Sequence, residues 1–217
     1  MTEYLNSQQQ KLEKKFLDKG YLIFDIKKKE SLLKIKNFFC KFIENKFQIK
    51  NNKNILNDFH KIIKKKDLNN LRIELFNNFN SKKELRKAYY EISKDILDII
   101  VGNELVMQNR VNLSIQLPND DSSLLPVHSD IWSGDSPFEV VIWLPLVDCY
   151  KTKSMFILPP KRYKKIHNNF RKFSGKSSKE FFQKIKKNLE WIEIKFGQVL
   201  IFNQALPHGN TLNSEKE

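Results

Sequence analysis

Cysteine is scarce in this chain: its 217 residues include only Cys40 and Cys149. Two thiols so far apart make neither a disulfide framework nor a ligand cluster, and they suit a reducing compartment. No apolar run approaches the length needed to span a bilayer. The opening MTEYLNSQQQKLEKK has no apolar stretch behind a basic start, so it does not resemble a signal peptide. A soluble, cytoplasmic protein without a membrane span is therefore expected. Arginine is scarce as well, with five residues among 39 basic ones, so lysine carries the formal charge of +14. Arginine is the residue suited to bidentate base and phosphate contacts. The lysines are spread along the chain among Glu, Asp and Asn, which describes a solvated coat rather than a specific nucleic-acid footprint. Such a coat remains compatible with weak attraction of small anionic substrates. No internal repeat, Pro/Gly linker or sharp compositional break divides residues 1–217, so one domain is expected.

What the chain does contain is enough apolar material for a core. Hydrophobic residues make up 40% of it and Phe alone accounts for 17, which excludes a disordered polymer. Residues 1–104 have mainly helical spacing. Helices are expected over Leu5–Leu17, Ser31–Phe47, Asn54–Ile63, Leu68–Phe79 and, as the longest, Lys82–Val101; a short strand is expected over Gly20–Ile26. After Gly102 the pattern becomes strand-like. Leu105–Leu117 alternates and carries β-branched residues, and PNDDSS follows as a turn-rich loop. Phe138–Val147 is a near-continuous apolar run, expected as a buried strand with Pro145 marking an edge or its end. Short strands are expected at Ser154–Leu158, Trp191–Ile194 and Gln198–Phe202, with a surface loop over 161–178 and an amphipathic helix over Ser178–Leu189. Helices first and short strands second is an α+β pattern, a small antiparallel barrel or sandwich with helices packed on it.

The chemistry concentrates in PVHSDIWSGDSPFEVVIWLP, residues 126–145. His128 and Asp130 are one residue apart, and on an extended segment such side chains point to the same side. His208 arrives far downstream in QALPHGN, after the apolar run Gln198–Phe202. Two histidines and one carboxylate with open coordination positions make the facial triad of non-haem Fe(II) oxygenases. The competing reading is a loop His–Asp pair and a turn histidine, each hydrogen-bonded structurally; spacing alone leaves both open. His60, among helical apolar residues, is read as a surface or partly packed histidine, and His167, in a basic stretch, as a solvated one. Trp132 is a candidate wall of a site mouth, and Asp135 and Glu139 are candidate substrate contacts.

The segments HSD, WSGDSP, KTKSMFILP and LPHGN, within residues 105–213, resemble a sporadically distributed group of 2-oxoglutarate/Fe(II) oxygenases. That group belongs to carbohydrate and streptomycin-type biosynthetic clusters and is more distantly related to phytanoyl-CoA dioxygenases. The resemblance implies a double-stranded β-helix (jelly-roll, cupin-like) core over 105–217 with the N-terminal helices packed on it. It implies Fe(II) held by His128, Asp130 and His208, and 2-oxoglutarate as co-substrate. It further implies oxidation of a small, carbohydrate-like or glycan-precursor substrate, with succinate and CO2 as co-products. Related halogenases carry a small residue in place of the carboxylate ligand, so Asp130 implies hydroxylation or desaturation. The group usually anchors the far carboxylate of 2-oxoglutarate with an arginine on the last core strand, about ten residues beyond the distal histidine. After His208 this sequence has only Lys216 as a basic residue, so the core is expected without its last strand. Lys151, Thr152, Lys153 and Arg110 are the remaining candidate anchors. Two further expectations stay open: a binding module of the same fold without catalysis, and a metal-dependent isomerase or lyase of cupin type.

Overall fold

The structure is a computed structural model that describes residues 4–50, 52–167, 173 and 175–217. Helix α1 (Ser7–Lys19) begins at a capping box. The Asn6 side chain accepts from the Gln8 and Gln9 amides, and the Gln9 side chain accepts from the Asn6 amide, satisfying N–H groups that a helix start leaves unpaired. It ends at Gly20, whose φ of 77° lies in the left-handed region that glycine enters at least cost. A side chain there would also run into Leu206. The chain then enters strand β1 (Tyr21–Asp25). Helices α2 (Lys29–Phe47), α3 (Phe59–Ile62), α4 (Lys65–Asn80), α5 (Lys83–Glu91) and α6 (Lys94–Ile100) follow. Three- and four-residue spacing puts Ile35, Phe39 and Ile43 of α2 on one buried face, and Leu68, Leu71, Leu75 and Phe79 of α4 on another. These faces meet in one cluster with Leu85 and Ala88 of α5.

The strands form two antiparallel three-stranded sheets, which makes the fold α+β. One has the order β1-β5-β2, with β2 at Val140–Trp143 and β5 at Gln198–Asn203. The other has the order β4-β3-β6, with β3 at Met155–Ile157, β4 at Glu190–Trp191 and β6 at His208–Asn210. Central strand β5 explains its own continuous apolar sequence: both of its faces are covered. Val199 and Ile201 pack toward the helices, while Leu200 and Phe202 pack toward Ile157, Ile192 and Ile194 of the second sheet. The second sheet is covered in turn. Phe156 and Leu158 face α8 (Ser178–Ile185) through Phe181 and Ile185. Among the described residues, no helix is long and apolar enough to cross a membrane.

Several expectations need correction. Leu105–Leu117 forms no strand among the described residues. Its alternation is nevertheless used, because Val111, Leu113, Ile115 and Leu117 all pack on the helical cluster. Its backbone bonds to side chains instead of a ladder: Asn80 both accepts from the Val111 amide and donates to the Val111 carbonyl, and Arg72 donates to the Ile115 carbonyl. Phe138–Val147 pairs only over Val140–Trp143 and is half-buried there, because β2 is an edge strand with β5 as its strand partner and the Tyr89 hydroxyl donating to its Ile142 carbonyl; Phe138 is 88% exposed. Lys82–Val101 is two helices, with the break at Ile92 and Ser93. The turn there places Ile92 and Leu97 in different clusters, so α2 is the longest helix described. Asn54–Ile63 is helical only at Phe59–Ile62; earlier, the Asn52 side chain captures the Asn54 amide, the local competition that asparagine offers a helix. Within 161–178, helix α7 (Pro160–His167) replaces the expected loop. Proline at a first helical turn has no N–H to leave unpaired and a φ already suited to the helix. The rest of that expected loop lies partly outside the described residues. Trp191–Ile194 is shorter as a strand than expected: the Ile192 amide still donates to the Met155 carbonyl, but beyond it Ile194 forms only an isolated bridge with Cys149.

Cys149 gives a direct check on this packing. Burial pushes its thiol up to about 12, with the nearby Lys153 charge opposing. A thiol near the usual 9.0 would carry about a thousandfold more thiolate at pH 8. Alkylation of Cys149 at pH 8 is therefore expected only on unfolding. Mass spectrometry after iodoacetamide labelling, with and without denaturant, reads this; equal labelling in both conditions would place Cys149 at the surface.

Candidate metal centre

The triad is assembled across an antiparallel bridge. His128 and His208 exchange both backbone hydrogen bonds, His128 N to His208 O at 2.9 Å and His208 N to His128 O at 2.8 Å. Directly opposed residues of such a pair put their side chains on the same face, and the two imidazole centroids are 4.4 Å apart. His208 lies opposite Ile157 on its other side and beside the Phe202 ring at 4.9 Å, so it faces the space between the two sheets. Gly209 permits this approach: a side chain there would lie 2.6 Å from the Leu125 carbonyl and 3.1 Å from the Phe156 ring.

Asp130 reaches the same point from a 3₁₀ turn (Asp130–Ser133). Its amide donates to the Gln204 carbonyl at 3.2 Å. The fully buried Ser129 hydroxyl lies 3.0 Å from the Ala205 carbonyl and 3.2 Å from that of Gln204. These bonds tie the HSD segment to the turn that delivers His208. Gln204, also buried, donates to the Ser136 carbonyl and to Glu139, and so holds the following loop. Asp130 offers Oδ1 to His128 Nε2 at 3.5 Å and Oδ2 to His208 Nε2 at 3.7 Å. The three ligand atoms lie within 4.8 Å of one another, close enough for one ion to bridge after small side-chain rotations.

The orientation of the rings determines what the site can hold. His128 Nδ1 lies 2.7 Å from the Pro126 carbonyl, and His208 Nδ1 lies 2.9 Å from the Leu206 carbonyl. A carbonyl can only accept, so Nδ1 carries the proton in both rings and Nε2 presents a lone pair. With both rings neutral, two Nε2 lone pairs and the Asp130 carboxylate face one another at separations longer than a hydrogen bond. Protonation would relieve this at His208 only with difficulty. Burial holds its pKa below the usual value, and a proton on His128 would lower it further; the Leu206 carbonyl and Asp130 oppose. A neutral imidazole whose other nitrogen is held by a carbonyl is the arrangement found around protein-bound metals. The donor set fits a divalent cation.

Trp132 shares the 3₁₀ turn with Asp130, beside the triad rather than in it. Trp132 stands edge-on to Phe181, with ring centroids 5.9 Å apart, and is 41% exposed; Asp135 is exposed. Glu139 accepts from Gln204. Lys151, Thr152 and Lys153 form a 3₁₀ turn just before β3. Thr152 donates to Glu215, and Lys153 pairs with Glu217. Arg110 is exposed and lies over the Phe76 ring. No described contact joins these four to the triad. His60 is half-buried with Nδ1 at the Asn57 carbonyl, and His167 lies against Tyr163; neither belongs to a metal-capable group among the described residues. The sequence reading missed Ser129 and Gln204. Each ring is held by the carbonyl two residues before it, Pro126 for His128 and Leu206 for His208, a local geometry that residue type does not announce. An apolar groove of about 230 Å³ is lined by Leu124, Pro126, Val127, Phe182 and Leu212. Ser178, Lys179, Asn210 and Thr211 complete its lining, and it contains no triad residue.

No protein-family model matches the chain, and no curated protein matches it.

Proposed function

We propose that this chain is a non-haem Fe(II)/2-oxoglutarate-dependent dioxygenase that hydroxylates or desaturates a small carbohydrate-like molecule. The observation that carries the reading is the convergence of two Nε2 lone pairs and one carboxylate, with both rings held by backbone carbonyls, beside the space between two sheets. Three protein donors on one ion leave positions for a chelating co-substrate and for oxygen. Support for the jelly-roll description comes from the two facing sheets and from the His128–His208 bridge, which extends the β4-β3-β6 sheet beyond β6. The substrate class rests on the resemblance of the HSD, WSGDSP, KTKSMFILP and LPHGN segments.

His128 and His208 would hold the iron through Nε2, and Asp130 through its carboxylate. Bound iron with 2-oxoglutarate and O2 supplies the oxidising chemistry, in which loss of CO2 and formation of succinate accompany oxidation of a substrate C–H. The protein contributes orientation. The Pro126 and Leu206 carbonyls keep both imidazoles in the ligating tautomer, and Ser129 locks the His128–Asp130 segment to the Gln204–Ala205 turn. His208 is buried while His128 and Asp130 are partly exposed, so the site is reached from the side of the 3₁₀ turn and Trp132.

The test is anaerobic titration with Fe(II) and then 2-oxoglutarate. The weak visible charge-transfer band of a chelated 2-oxo acid is expected in the parent and not in His128→Ala. Iron binding without the band would remove the co-substrate from the reading, and no iron binding would overturn it.

A further inference from the structure

We infer that helices α7 and α8, with the apolar groove beside α8, form a docking surface for an anionic lipid bilayer. The inference stands apart from the oxygenase reading. Counted by segment, the charge of the chain is concentrated rather than evenly mixed. Residues 160–189 hold 11 of the 39 basic residues and one of the 25 acidic ones, Glu180, so this stretch carries +10 of the formal +14. The remaining 28 basic residues are set against 24 acidic ones. Nine of the 11 lie among the described residues, and all nine are exposed. Two surface ion pairs offset little of this charge: Lys176 lies 4.0 Å from Glu180, and Arg162 lies 3.8 Å from Glu190.

The stretch joins β3 to β4, which pair directly with each other. A turn of a few residues can join an antiparallel pair, and here the chain makes a helical excursion instead. The fold uses its apolar side. Tyr163 and Ile166 of α7 and Phe181 and Ile185 of α8 pack with Phe156 and Leu158. That packing needs no charge on the outer side, where crowded like charges repel one another in the folded state. An anionic partner relieves the repulsion. Its class follows from what lies beside the lysines. Lys179 stands in the wall of the groove that Leu124, Pro126, Val127, Phe182 and Leu212 line. Leu212 is 39% exposed, and Leu125, between two lining residues, is 52% exposed. Trp132 packs edge-on to Phe181 and is itself partly exposed, and indole favours the headgroup level of a bilayer. Lysines beside exposed leucines and an indole make an interfacial composition, in which charge attracts anionic headgroups and apolar side chains enter the acyl boundary. A nucleic acid fits less well. Arg162, the one arginine of the stretch among the described residues, donates to the Asn188 carbonyl at 2.7 Å. The Tyr163 and Phe181 rings pack inward and do not stand free to stack on bases.

Co-sedimentation with vesicles tests this, comparing phosphatidylcholine alone with phosphatidylcholine mixed with phosphatidylglycerol. The parent is expected to bind the anionic vesicles and not the neutral ones, and to bind less at high salt, which screens exposed charges. Lys179→Gln, Lys184→Gln, Lys186→Gln and Lys187→Gln combined are expected to weaken binding by about 50-fold or more, on a scale of about fivefold for each lysine held near an anionic surface. A control set removes the same charge elsewhere. Lys64→Gln, Lys66→Gln, Lys82→Gln and Lys83→Gln, exposed at the starts of α4 and α5, should together weaken binding less than about threefold, because charges far from the contact are screened. Leu125→Ser with Leu212→Ser should weaken it about fivefold or more at unchanged salt dependence, from apolar area no longer buried in the acyl boundary. All of these positions are exposed, so circular dichroism should be parent-like throughout. No binding to anionic vesicles, equal losses in the two lysine sets, or parent-like binding without the two leucines would overturn the inference. So would tighter binding to single-stranded DNA than to the vesicles, lost with the same four α8-side lysines, which would make a nucleic acid the partner.

Discussion

Asp130→Ala is expected to bind Mn(II) or Fe(II) more than about 100-fold more weakly than the parent, beyond the range typical of losing a mere outer-shell partner. Asp130 is the anionic donor of the triad, with one oxygen toward each imidazole. Its removal leaves two neutral donors at a site that must hold a dication. The two histidines should separate by a second readout. His128 is partly exposed, so His128→Ala should lose metal with little change in apo-protein stability. His208 is 7% exposed and packs beside Phe202, so His208→Ala should lose metal and also leave a cavity. Isothermal titration with Mn(II), paired with urea denaturation of the metal-free variants, measures both effects. Parent-like Mn(II) affinity in Asp130→Ala would return the triad to the structural reading, a His–Asp cluster held for its hydrogen bonds alone.

Phe156→Ala is expected to destabilise the protein by about 3–5 kcal/mol, the range for emptying a buried aromatic site. Phe156 is 0% exposed at the centre of the β4-β3-β6 sheet. Its ring meets Phe182 at 5.4 Å and Trp191 at 5.5 Å. It also underlies Gly209, where a side chain would lie 3.1 Å from the ring. The substitution therefore removes the support of the residue next to His208, so weaker Mn(II) binding should accompany the lost stability. Phe138 is the control. At 88% exposed it buries almost nothing, and Phe138→Ala should stay within about 0.5 kcal/mol of the parent in urea denaturation. Similar losses at the two positions would contradict the described packing.

The elements legible in the sequence were those whose burial follows their own period. Helix α2 and most of α4 could be read from the spacing of Leu32, Ile35, Phe39 and Ile43, and of Leu68, Leu71, Leu75 and Phe79, because one buried stripe makes the pattern. Strand β5 was legible from five apolar or amide-bearing residues in a row after Gly197. Leu105–Leu117 shows the limit. Its alternation correctly marks one face turned to a core, but alternation does not reveal whether the backbone pairs with a strand or with side chains such as Asn80 and Arg72. The break at Ser93 and the helix at Pro160 were missed because they depend on where neighbouring elements need Ile92, Leu97 and Tyr163.

The same division holds at the site. Residue type and spacing made His128 and Asp130 a candidate metal-capable pair, since an imidazole and a carboxylate two positions apart can face one way, and left the structural reading open beside it. Only the tertiary structure decided that His208 stands opposite His128, because a bridge across 80 positions is set by β5 and the turn that follows it and not by local sequence. It also decided the ring tautomers, through the Pro126 and Leu206 carbonyls, and the burial that keeps His208 neutral. Lys153 stands on the same footing. Its charge could be read from the sequence, but its enclosure and its pairing with Glu217 arise from contacts across 64 positions, which only folding creates.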